Sequence, residues 1–133
     1  MPEDSIEIVR KGYESLNETG IEGVLAFMDP AIEIELAPEL TPEPQTLRGH
    51  AGVRRWFASA SEALEEIRME PEEFIDFGDR VVVPVRIVAR GRGSRIEAVQ
   101  RVAHVWTLRG GLAVRMDSYV DKQSALTAAG LPE

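Results

Sequence analysis

A chain of 133 residues, 44% hydrophobic and 29% charged, is long enough to bury a core and too apolar to be disordered. Its 15 Lys and Arg against 23 Asp and Glu leave a net charge of −8, which disfavours nucleic-acid backbones and anionic membrane surfaces as partners. The absence of cysteine excludes disulfide scaffolds, thiol nucleophiles and thiolate metal sites, and the two histidines, His50 and His104, lack the spacing of a metal motif.

The chain begins Met1-Pro-Glu-Asp4, acidic and without the basic-then-apolar pattern of a signal peptide, and its apolar runs are short; the expectation is a cytoplasmic protein. Asp4 and Glu7 form a capping pair, and Ile6, Val9, Tyr13 and Leu16 recur at helical spacing. Thr19 and Glu22 form a second capping box, opening a short helix through Met28 that Asp29-Pro30 closes. Ile32, Ile34 and Leu36 then alternate with Glu33 and Glu35, which predicts a strand. A proline-rich loop follows over 37–46. A third helix is predicted from His50 to Ile67, with Val53, Trp56, Phe57, Ala60, Leu64 and Ile67 on one side.

From residue 74 the pattern turns to antiparallel strands. Gly78-Asp79 and Gly110-Gly111 are two-residue turn signals, and Gly91 to Ser94 makes a further turn. Strands are predicted over 74–77, 80–90, 96–109 and 112–120. Asp121 caps a last helix that Gly130 and Pro132 stop. The order ααβα, four-strand meander, helix is that of an α+β fold with helices gathered on one sheet face, and no linker divides residues 1–133. Strand 80–90 is apolar on both sides, so the face without helices needs a cover. A homodimer through the row Val102, His104, Trp106 supplies one; the chain's own C-terminal segment is the alternative.

Several segments resemble the SnoaL-like polyketide cyclases: Val9 to Asn17, Asp29-Pro30 with the alternating strand, Leu47-Arg-Gly-His50, Gly78 to Val83, His104 to Gly111, and Tyr119-Val-Asp121 through Leu126. That family sits in the larger group with ketosteroid isomerases, limonene-epoxide hydrolases and nuclear transport factor 2. The resemblance covers nearly the whole chain. It implies a single domain shaped as a cone, a curved mixed β-sheet wrapped around N-terminal helices with an apolar pocket at its open end.

By that resemblance the isomerase base falls on Glu35, and the two oxyanion donors fall on Gly12 and Ala103, neither of which can donate from a side chain. The hydrolase arginine falls on Arg101. Its aspartates fall on Ala103 and Ser118, and its Tyr and Asn on Glu33 and Glu35. The cyclase aspartate also falls on Ser118, beside Asp117. Glu35 as base with Arg101 as electrostatic partner is therefore the candidate catalytic pair. Glu33, Trp56, Phe57, Val83, Val85, Ile87, Val105, Met116, Ser118 and Val120 are the candidate ligand-binding positions.

The residues also admit plainer roles. Glu33 and Glu35 suit a solvated strand face, Arg101 an ion pair with either of them, and Tyr13 a core position with its hydroxyl bonded. His104 suits a packed or dimeric surface, and Arg90, Arg92 and Arg95 a solvated hairpin tip. The functional expectation is a pocket for a small apolar molecule, with no metal or organic cofactor. It acts either as an acid–base isomerase, cyclase or hydrolase, or as a non-catalytic ligand-binding or dimerisation module.

Overall fold

A computed structural model describes residues 5–36 and 45–130. The Asp4 cap and most of the proline-rich loop lie outside the described residues. Seven strands form one curved sheet: β1 (Met28–Leu36), β2 (Gln45–Arg48), β3 (Leu64–Pro71), β4 (Ile75–Asp76), β5 (Arg80–Gly91), β6 (Glu97–Arg109) and β7 (Leu112–Tyr119). The order is β2-β1-β7-β6-β5-β3, with β4 paired to β5. β1 and β7 run parallel and every other pairing is antiparallel, so the sheet is mixed.

The helices are α1 (Ser5–Thr19), α2 (Ile21–Leu25), α3 (Gly49–Ala63) and α4 (Lys122–Gly130). Ile8, Val9 and Tyr13 of α1 share a core with Val81, Val83 and Val85 of β5, Ile32 and Ile34 of β1, and Val102 and Trp106 of β6. Asn17, near the end of α1, hydrogen-bonds both ways to the Met69 backbone: Nδ2 donates to its carbonyl at 2.8 Å, and its amide donates to Oδ1 at 3.1 Å. That pair ties α1 to β3.

Four elements differ from the sequence expectations. Gln45–Arg48, at the end of the expected loop, is strand β2, paired with β1. The third helix stops at Ala63, and Leu64 to Pro71 is strand β3, where Glu66, Arg68 and Glu70 alternate with the inward Ile67 and Met69. Pairing along β5 overrides the helical spacing of Leu64 and Ile67. Asp29-Pro30 lies within β1 instead of ending a helix at Met28. Thr19 does not cap α2, because its hydroxyl donates back to the Ser15 carbonyl at 2.8 Å.

The helices also do not all share one face. α4 packs outside the sheet, where Ala125 and Ala129 meet Val82, Ala103 and Val105. Asp121 accepts the Ser124 amide at 2.8 Å and caps this helix, as its sequence predicts. The double apolar face of β5 is therefore covered within the chain, by α1 inside and α4 outside. The row Val102, His104, Trp106 proposed for a homodimer faces inward, so it cannot serve as that interface.

Candidate functional site

The cone encloses a cavity of about 300 Å³. α1 and α2 supply Gly12, Tyr13, Leu16 and Val24. α3 supplies Val53, Trp56, Phe57 and Ala60, and the sheet supplies Ile34, Leu36, Ile67, Met69, Ile87, Gln100, Val102, His104, Trp106, Met116 and Ser118. The strand contributors follow from alternation: even positions of β1 and β6 and odd positions of β5 point inward, and in β7 Met116 and Ser118 do so, with Ala113 joining them across a shift in register.

Helix α3 forms one wall and is held at both ends. Gly49 starts it at φ 68°. The neighbouring His50 donates from Nε2 to the Met28 carbonyl at 2.9 Å. Arg54 pairs with Glu22 at 2.8 Å, linking α3 to α2. At the far end Arg92 donates to the Ser61 carbonyl at 2.9 Å and the Leu64 carbonyl at 3.3 Å. An arginine suits the negative end of a helix. Arg92 is thus a helix cap and not a free hairpin-tip charge.

Polar groups gather on one side of the cavity. Trp106 Nε1 donates to the Tyr13 hydroxyl at 2.8 Å, and that hydroxyl lies 2.7 Å from His104 Nδ1. The Tyr13 and His104 rings are nearly parallel at 4°, and Trp106 stands edge-on to both. Burial lowers the His104 pKa to about 4, so its imidazole is neutral at physiological pH, and it raises that of the Tyr13 phenol. Ser118 sits directly opposite His104 in the β6–β7 register and is also buried. None of the described lining residues is a carboxylate, a lysine or an arginine. Among the described residues no group of three His, Asp or Glu side chains is placed to hold a metal.

The proposed catalytic pair does not assemble. Glu35 points to the outer face of β1, where Thr46 Oγ1 donates to it at 2.7 Å. Arg101 lies on the outer face of β6 with a side chain 67% exposed, and pairs with Glu72 at 3.4 Å. Glu33 is outside as well, 3.3 Å from Arg115, which also grips Asp117 with two hydrogen bonds. The physical reason is the pleat: Ile34 and Leu36 take the inner face, so their neighbours take the outer one.

Of the candidate ligand-binding positions, Trp56, Phe57, Ile87, Met116 and Ser118 line the cavity. Val83 and Val85 face inward but are fully buried in the core beside it. Val105 points outward beneath α4, and Val120 lies past the end of β7, 41% exposed. Tyr13, Gln100 and His104 are polar or hydrogen-bonding cavity residues absent from the candidate positions. For Gln100 and His104 the signal was present in the single face shared by Val102, His104 and Trp106; its direction was not. Ala103, taken as an oxyanion position, faces α4, and the next residue, His104, faces the cavity.

Residues 9–116 match the family model described as the SnoaL-like domain. The chain belongs to that family. Among solved structures, the SnoaL-like chain is similar to TerC co-crystallised with polyporic acid. The two are 29% identical with a TM-score of 0.78, over 96% of this chain and 98% of that one. It is also similar to a nuclear transport factor 2-like protein of unknown function from Burkholderia pseudomallei, at 25% identity and TM-score 0.77, over 96% and 98% of the two chains. A SnoaL-like polyketide cyclase from Jannaschia, 18% identical with a TM-score of 0.72 over 97% and 93%, shares the fold. No match was found among the curated proteins. No helix among the described residues is long and apolar enough to cross a membrane.

Proposed function

We propose that this SnoaL-like protein binds a compact, largely apolar small molecule inside the cone. The observation that carries the reading is the cavity itself: about 300 Å³, walled by aliphatic and aromatic side chains, with its few polar groups converging on His104 and Ser118. That is the form of a small-molecule site, in which apolar walls supply affinity and a few polar atoms fix orientation. The co-crystal of TerC with polyporic acid supports it by likeness. Acid–base chemistry through Glu35 and Arg101 is not part of this proposal, since both residues face away from the cavity.

Titration with N-phenyl-1-naphthylamine, an uncharged fluorescent apolar probe, tests the reading. The wild type binds it. Ala60→Trp, which fills the cavity from the half-buried face of α3, weakens binding about tenfold or more while the protein stays folded by circular dichroism. Equal affinity in the two proteins would place the probe elsewhere and remove the proposal's support.

A further inference from the structure

We propose that Tyr13 is a positioning residue that fixes the tautomer of His104, and that the site so built takes a neutral ligand presenting a hydrogen-bond-accepting oxygen, such as a ketone. The inference rests on the cavity being the ligand site and deepens that reading.

Counting protons makes the case. The indole of Trp106 can only donate, and it donates to the Tyr13 oxygen. Tyr13 has one proton of its own, and His104 Nδ1, 2.7 Å away, is the acceptor in reach. If Tyr13 donates to Nδ1, all three groups are satisfied and the imidazole proton sits on Nε2. The reverse arrangement, Nδ1–H donating to the phenol, leaves the buried Tyr13 proton without an acceptor among the described residues. A buried unmade hydrogen bond is costly, so the first arrangement prevails. Tyr13 selects the tautomer, and Trp106 orients Tyr13.

The consequence falls on the other nitrogen. No hydrogen bond to a described residue engages His104 Nε2 or Ser118 Oγ, although every enclosed side-chain polar atom of the described residues has a partner. These two atoms therefore open onto the cavity that both residues line. Nε2–H is a fixed donor there. The Ser118 hydroxyl, on the facing strand, can give or accept a second bond. A ligand oxygen between them completes both groups. A hydrocarbon of the same shape leaves them unpaired, and an ionised carboxylate enters a site with no described cationic side chain to meet it. With its proton on Nε2 the imidazole acts as a donor to that oxygen and not as a base.

Calorimetric titration at about pH 8 with fluorenone, fluorene and fluorene-9-carboxylate separates these classes by shape-matched probes. Fluorenone binds about three- to tenfold more tightly than fluorene, the span of one net hydrogen bond, and the carboxylate binds weakest. The carbonyl stretch of bound fluorenone moves to lower frequency. Long-range ¹⁵N NMR of the ligand-free wild type finds the His104 proton on Nε2, a readout that needs no variant to fold. In Tyr13→Phe the tautomers mix and the fluorenone preference falls towards unity. A proton on Nδ1 in the wild type overturns the inference. So does equal binding of fluorenone and fluorene, which leaves the apolar-cavity reading standing. Failure of every probe to bind overturns both.

Discussion

Acidification from about pH 7 to about pH 5 should remove about 2 kcal/mol of folding stability through His104 alone. In the folded chain burial brings this imidazole down from an ordinary value of 6.5 to about 4; unfolding returns it to water. Between those two values the unfolded chain binds a proton that the native chain does not. The contribution of His104 is therefore complete above about pH 6.5 and is lost as the pH falls towards 4, on the order of 3 kcal/mol over the whole interval. Tyr13 from α1, Trp106 along β6 and Ser118 from β7 surround the ring, and none offers a negative charge at these pH values to hold an imidazolium. The window is also clear of Glu22, Glu70 and Asp121, whose partners hold them below the usual carboxylate range, so their contributions fade only at lower pH. Urea unfolding followed by tryptophan fluorescence at several pH values measures the slope. His104→Gln is the control, since its amide oxygen can still accept from Tyr13 but does not titrate. A wild type with flat stability across the window, or a His104→Gln variant with the same slope, would refute the reasoning.

Ile32→Ala, at a fully buried core position of β1, is expected to cost about 2–5 kcal/mol in chemical denaturation. Gly49→Ala places a Cβ 3.1 Å from the Pro30 carbonyl at a φ of 68°, and should lower stability by about 1–2 kcal/mol as read from the same urea curves. Glu35→Gln should change stability by no more than about 0.5 kcal/mol and leave probe affinity unaltered, because the amide oxygen still accepts from Thr46 on the outer face.

How much of this was legible in the sequence depends on which kind of signal each element carried. Alternation in Ile32, Ile34 and Leu36 located β1, and the two-residue turns at Gly78-Asp79 and Gly110-Gly111 located the meander, because those signals are local. Leu64 and Ile67 were misassigned to a helix because their spacing fits one, while the partner that makes them a strand lies more than twenty residues away in β5. The inward face of β6 was recognised as a unit but turned outside. Both of its rows carry apolar residues, and the docking of α4 on Ala103 and Val105 decides between them. That choice of face separated His104 from the site, while the resemblance to the hydrolases put Arg101 there. The mapping of Glu35 failed for a related reason: similarity along a strand fixes position more firmly than it fixes which side of the pleat a residue takes.

The parallel pairing of β1 with β7 sets when the site can exist. Glu33 meets Arg115 across 82 positions of chain, and Ile34 lies beside Met116, whereas β5, β6 and β7 join through short turns. Closing so long a loop costs entropy before any contact compensates it, so the meander can form first and β1 must wait. During synthesis β1 has only the short β2 beside it until residues near 117 have left the ribosome. The cavity wall made by Ile34, Met116 and Ser118 is thus among the last features to be built, and a ligand that holds this seam together would act on the final step of folding.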